Sequence, residues 1–313
     1  MTEGLHNPAR SKYWSLKVAL SYLAIYVVWG STYLAISISL ETLPMFFLSA
    51  VRFTVAGLIL VAYALFAGCG APSRANILVA VKSGFLAFFC SFAMLTWAQL
   101  TLPSSVAALL ISLEPVWFVI FSWLIFGGSK PTGRVVAALL VGFAGCAMLV
   151  FAEPAAEAAT GVTQTRYALS ALSVVGCGLT WVYGALLSSK SPDSHPHAAM
   201  ASGLQMLAGG LIFAAVSTLN GDYASLGGAS LRSCVALAYL IVFGSVFSYS
   251  AYIFLLRTQP AAKVAAHTFV NPIVAVGLGW AIAGEPVTSS ILAAGLLIVV
   301  SVILITYAKP KHG

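Results

Sequence analysis

Ten runs of predominantly apolar residues follow one another along the chain, at approximately 16–38, 44–66, 77–100, 102–126, 132–151, 167–187, 197–219, 233–256, 261–283 and 288–307. Each is close to the roughly 20 residues that a helix needs to cross the hydrocarbon core of a bilayer. None has the strict in–out alternation of a membrane barrel strand. Several carry internal Gly or Pro, which helices inside a bilayer tolerate better than helices in water. The pattern predicts an all-α integral membrane protein with ten transmembrane helices.

The ten runs are two sets of five. Trp29, Ala56 and Gly57 recur 152 residues later as Trp181, Ala208 and Gly209. Phe85, Phe89, Ala93, Val106, Ala107 and Ala108 recur 158 later, as Phe243, Phe247, Ala251, Val264, Ala265 and Ala266. Pro115, Val119, Trp123, Ile125 and Gly127 recur 157 later, ending at Gly284. The offset drifts only as short loop insertions require. Because five is odd, the second copy must enter the bilayer from the face opposite to the first. The expected domains are therefore a five-helix repeat at 16–151 and a second, inverted one at 167–307. Inverted repeats are an architecture of alternating-access carriers, with the substrate site near mid-membrane between the halves.

Composition and charge agree. Hydrophobic residues make up 60% of the 313, charged residues 7%, and the mean hydropathy is +0.99. A soluble domain carries about 25% charged residues, so lipid must cover most of this surface. The net charge of +7 does not indicate nucleic acid, because the basic residues are segregated. With the N-terminus in the cytoplasm, Arg10, Lys12, Lys17, Arg74, Lys82, Lys130, Arg134, Lys190, Arg257, Lys263, Lys309 and Lys311 fall inside, and only Arg166 and Arg232 outside. This positive-inside bias places both termini in the cytoplasm of a multi-pass inner-membrane protein. The polar lead before Leu16 is long for a cleavable signal peptide. Cys69, Cys90, Cys146, Cys177 and Cys234 lack metal or redox spacing and read as small packing residues. The connection at 152–166 reads as a linker.

The motifs are specific enough to carry a resemblance. Trp29-Gly30-Ser31-Thr32-Tyr33, Arg52-Phe53 with Ala56-Gly57, Phe269-Val270-Asn271-Pro272, Gly284-Glu285 and the Gly295-Leu296-Leu297-Ile298 stretch resemble an EamA-type transporter of the drug/metabolite transporter superfamily, in its YedA/PecM-like branch. The resemblance covers nearly the whole chain. It implies a ten-helix inner-membrane carrier that exports amino acids or other small metabolites. In one departure between the copies, Gly127-Gly128 stands where the second copy has Gly284-Glu285.

Few polar residues interrupt the apolar runs, and these are the candidate substrate-binding residues. Glu114 sits in mid-run four, just before Pro115; its repeat partner is Asn271, before Pro272. An intramembrane acid faces a cavity, pairs, or titrates. Glu114 is thus a ligand for a substrate amine or a protonation site, or else a neutral partner of a kinked backbone. Arg52 lies about 12 Å into run two by helical rise; it binds a substrate carboxylate, pairs with Glu114, or snorkels toward the outer headgroups. Trp29 and Trp181 are repeat-equivalent and close to mid-membrane. With Tyr33, Tyr183, Trp97, Tyr249 and Tyr252 they offer aromatic walls that attract ammonium groups, or else they pack helices. Gln205 and His267 complete the set, the first as a cavity-lining amide and the second as a group able to titrate.

The expected function is secondary transport by alternating access, exporting a small neutral or zwitterionic metabolite such as an amino acid, with protons as the natural coupling ion. A multidrug efflux carrier of the same fold is the alternative. An intramembrane enzyme would need a buried nucleophile–base pair, paired aspartates or a metal cluster. The chain has no HExxH or GxSxG motif, and its two aspartates, Asp193 and Asp222, lie in loops. No cofactor, bound metal or nucleic acid is expected. The expected partners are the bilayer and a small-molecule substrate, with the chain acting as a monomer or homodimer. A phosphorylated substrate would demand several embedded cations, and only Arg52 is embedded.

Overall fold

The computed structural model describes residues 8–151, 162–189, 198–259, 264 and 267–306. Among these, nine helices are long and apolar enough to cross a membrane: α1 (Leu16–Leu40), α2 (Met45–Phe66), α3 (Arg74–Ala98), α4 (Ser104–Leu124), α5 (Gly133–Val150), α6 (Gln164–Ser189), α7 (Ala198–Leu219), α8 (Leu231–Tyr252) and α10 (Ser289–Thr306). A tenth apolar helix, α9 (His267–Ala283), is shorter. The residues ahead of it, 260–263 and 265–266, lie outside the described set, as does most of the expected linker. Every expected run coincides with a helix, and no strand is present among the described residues.

The two copies run in opposite directions. The turn after α9 carries Glu285, which hydrogen-bonds to Ser104 at the start of α4. The C-terminal end of α9 therefore meets the N-terminal end of its repeat partner. The other end of α4, at Gly127, lies about 30 Å away by helical rise, so the molecule has a Glu285 face and a Gly127 face. The exit turns of α4 and α9 share one backbone design. Gly127 and Gly284 both adopt the left-handed conformation, at φ +71° and +65°. The next amide donates six residues back, Gly128 to Ser122 at 2.7 Å and Glu285 to Gly279 at 3.0 Å.

Equivalent helices also pack on each other. Between α2 and α7, a β-carbon on Gly57 would lie 2.8 Å from the Gly203 carbonyl, so the two backbones touch directly. Between α5 and α10, the Ser301 hydroxyl donates to the Ala138 carbonyl at 2.6 Å.

Three spans are locally widened. π-Helical turns occupy Ala24–Val28 in α1, Phe85–Cys90 in α3 and Leu240–Phe247 in α8, the last two at repeat-equivalent places. A wide turn skips carbonyls, which then need other donors. Side chains supply them: Ser248 Oγ donates to the Ala24 and Phe243 carbonyls, and Trp29 Nε1 to that of Gly244 at 3.0 Å. Span four is broken at the proline expected to kink it. It divides into Ser104–Ile111 and Glu114–Leu124, because Pro115 has no amide to donate and its ring collides with the carbonyl four residues back. Pro272, its partner, lies inside a helix that continues through it.

Candidate functional site

A cavity of about 600 Å³ lies between the repeats, walled by residues of both copies. Nine of the expected site residues line it: Trp29, Tyr33, Arg52, Glu114, Trp181, Tyr249, Tyr252, His267 and Asn271. The broken span four brings Glu114 there. The first turn of its second half begins at Glu114, so the carboxylate leaves the helix where the backbone has just opened. No hydrogen bond or ion pair to another described residue holds it.

Arg52 is fixed more tightly. It is 5% exposed, and its Nε donates to Ser245 Oγ at 3.0 Å. Its guanidinium carbon lies 5.0 Å from the ring centre of Phe53 and 5.1 Å from that of Phe92, within cation–π range. Nη1 is buried without a hydrogen-bond partner. Arg52 does not pair with Glu114, and it does not snorkel to a headgroup. Of the alternatives for Arg52, the pair with Glu114 is not formed: the only ion pair among the described residues joins Arg232 and Glu41 at the surface.

The aromatic wall is in two parts. Trp29 packs against Tyr252 and His267, each with ring centres 5.3 Å away, and against Tyr249 at 6.4 Å. Its indole is oriented by the bond to Gly244. Trp181 packs against Phe88 and Phe92 at 5.6 and 6.1 Å. His267 Nδ1 lies 2.8 Å from the Val264 carbonyl, so this nitrogen carries a proton. One side of the Asn271 side-chain amide faces only acceptors, the carbonyls of Ile25, Tyr26 and His267. Its NH₂ is therefore assigned to that side and donates to Ile25 at 2.8 Å and Tyr26 at 3.0 Å. The Ile25 and Tyr26 carbonyls belong to the widened turn of α1. Asn271 thus lines the cavity and also ties α9 to α1.

Gln205, Trp97 and Tyr183 fall elsewhere. Met206 takes the cavity-facing position on α7. One residue back, about 100° around the helix, Gln205 turns to α6 and donates to Ser188 Oγ at 2.6 Å. On α3, Phe88, Ser91, Phe92 and Leu95 face the cavity, so Trp97 projects outward and is 40% exposed. Tyr183 packs against Phe121 and Phe126. Sequence reasoning missed Phe53, Phe88, Phe92, Gly244 and Ser245. Only Phe53 carried a signal, as the neighbour of Arg52; a phenylalanine or serine among so many apolar and small residues does not stand out.

The cavity lining reaches toward both faces, through Val119, Ala185 and Thr306 on the Gly127 side and through Ile36, Leu95 and Ala108 on the Glu285 side. At the Glu285 face, hydrogen bonds cross between the copies: Glu285 to Ser104 and Ser105, Ser230 to Thr42, Ser233 to the Ile38 carbonyl, and Ser31 to Tyr239.

The comparisons with known proteins agree with this geometry. The sequence profile of the EamA-like transporter family matches twice, at 16–151 and 168–307. The chain is 30% identical over 287 residues to the inner membrane transporter YedA of Escherichia coli strain K12, covering 91% of this chain and 89% of YedA. It is 25% identical to a WAT1-related chloroplastic protein of Arabidopsis thaliana, over 90% of this chain and 67% of that one. It is 24% identical to the transporter YvbV of Bacillus subtilis, over 92% and 91%. A crystal structure with 19% identity shares the fold at a TM-score of 0.62, covering 92% of this chain and 96% of that one. The chain is a multi-pass membrane transporter and belongs to the EamA-like transporter family.

Proposed function

We propose that this transporter works by alternating access, exporting a small neutral or zwitterionic metabolite, an amino acid or close relative, in exchange for protons taken up at Glu114. The supporting observation is the charge inventory of the cavity: one guanidinium and one carboxylate, neither neutralised by another described side chain. A site with one charge of each sign suits a ligand that carries both. Among the described residues it lacks the several cations that a phosphorylated ligand needs.

The two repeats, 16–151 and 167–307, are the units that move against each other around the central site. Both termini lie in the cytoplasm by the distribution of Lys and Arg. The Gly127 face is then cytoplasmic, and the Glu285 face, where hydrogen bonds join the two copies, is the outer side. In the cycle, protonated Glu114 faces the cytoplasm and releases its proton there as the substrate ammonium binds beside the carboxylate. Opening of the outer side releases the substrate, and reprotonation of Glu114 accompanies the return.

A second reading has its own support. Trp29, Tyr249 and Tyr252 beside Glu114 would equally cradle a lipophilic cation, which is the ligand of a multidrug carrier. Counterflow in proteoliposomes, with a panel of amino acids and with ethidium, tests both. Accumulation of an amino acid supports the first reading. Accumulation of ethidium alone overturns it in favour of the second.

A further inference from the structure

We infer that Arg52, with Ser245 as its tether, is the specificity-determining residue of the cavity: it demands a single free carboxylate on the substrate. The inference rests on the transport reading above and sharpens it. Four observations carry it. Arg52 is nine-tenths buried on the cavity wall, yet no carboxylate among the described residues lies within ion-pair distance of it. Nε is committed to Ser245, and Nη1 is buried without a partner, so the Nη1–Nη2 edge holds donors that no described residue satisfies. Phe53 and Phe92 lie together on one side of the guanidinium, their ring centres 4.6 Å apart, which leaves a ligand its edge and opposite side. Gly244, next to the tether, lies against Nη2, since a β-carbon there would sit in van der Waals contact with it at 3.6 Å.

Such an edge presents two parallel N–H groups, which match the two oxygens of one carboxylate. Among the described residues the cavity lining contains no lysine and no second arginine, so a dianion finds no second partner there. Much of the rest of the wall is apolar, with Ile36, Phe88, Leu95, Phe118, Val119 and Met206. Combined with Glu114 for the ammonium group, this arrangement selects an α-amino acid with an apolar side chain. A plain amine, an amino-acid amide or a lipophilic cation leaves the buried guanidinium without a counter-charge and is rejected for that reason, since an unpaired buried charge is costly.

The test measures binding to the purified full-length protein by thermal shift, for leucine, methionine, phenylalanine and tryptophan, their carboxamides, the corresponding decarboxylated amines, and ethidium. The expected result is that at least one amino acid binds and that its amide and amine bind at least about tenfold more weakly, the scale of a lost charge-assisted hydrogen bond. In Arg52→Gln the acid and amide should bind within about threefold of each other. If that variant does not fold, Ser245→Ala serves in its place. It keeps the charge but frees the fork to rotate, and should weaken the acid severalfold while leaving the amide unchanged. Equal binding of acid and amide by the wild-type protein overturns the inference and leaves the amino-acid reading standing. Binding of ethidium alone, or of no member of the panel, counts against both.

Discussion

The carboxylate of Glu285 caps the helix that starts at Ser104: Oε1 accepts from both the Ser104 amide and its hydroxyl at 2.7 Å, and Oε2 from the Ser105 amide at 3.0 Å. The residue before this helix is Pro103, whose side chain offers no cap, so the orphan amides of α4 are satisfied from the other repeat. Gly279 makes room for the carboxylate, because a methyl group there would lie 2.5 Å from Oε2. Glu285→Ala should lower stability by about 2 kcal/mol, the scale of a lost N-cap with charge-assisted bonds. Glu285→Gln, which keeps an acceptor oxygen, should lose about half as much. Denaturation of the purified protein checks both. An unchanged midpoint for Glu285→Ala would show that the cap is replaced by water at no cost.

A second prediction concerns the contact between α2 and α7. A β-carbon on Gly57 would lie 2.8 Å from both the Gly203 carbonyl and the Leu207 amide, which are backbone atoms with no room to yield. Gly57→Leu should therefore cost about 2 kcal/mol or more, read as a loss of folded protein in detergent. Gly133 is the control, because a β-carbon added there would meet nothing within 4 Å. Gly133→Ala should be nearly neutral.

The fold was legible because its causes are one-dimensional. Run length sets the spans, and the recurrence of residues such as Trp29 and Trp181 sets the duplication and, by parity, the inversion. The site was legible where a polar residue was costly, at Arg52, Glu114 and Asn271. It was not legible where the decision depended on helix rotation. Gln205 and Met206 differ by one residue, and periodicity in an all-apolar run does not say which faces the cavity. Nor was the role of Glu285 readable. Its absence from the first copy was visible as Gly128, but its partner at Ser104 is 181 residues away and belongs to the other repeat.

The indole N–H of Trp29 spans two helices, since Nε1 reaches the Gly244 carbonyl beside the tether of Arg52. Trp29→Phe keeps the aromatic contacts with Tyr252 and His267 but removes this bond. We expect a loss of about 1 kcal/mol in stability and weaker ligand binding through disturbance of the Ser245 region. Trp181 makes only ring contacts, so Trp181→Phe should be milder in both respects. Equal effects from the two substitutions would argue against an orienting role for the Trp29 bond.

Single-cysteine accessibility in intact cells tests the orientation. Cysteines in 127–131 should be reachable only from the cytoplasm, and those in 220–231 from outside. Labelling of both loops from one side would overturn the assignment of the Gly127 and Glu285 faces.

If the cavity between the repeats is the transport site, Glu114 works there as an exchangeable carboxylate. The most direct measurement compares substrate counterflow and proton-driven transport by wild-type and Glu114→Gln protein in proteoliposomes, from about pH 5.5 to about pH 8, a range in which a coupling carboxyl can change its protonation. Glutamine keeps the shape and most of the hydrogen bonding of glutamate but cannot titrate. Glu114→Gln should fold normally, and it should lose either the pH dependence of transport or most of its rate. Wild-type transport by Glu114→Gln at every pH would contradict this, leaving the carboxylate only as a partner of the break before Pro115.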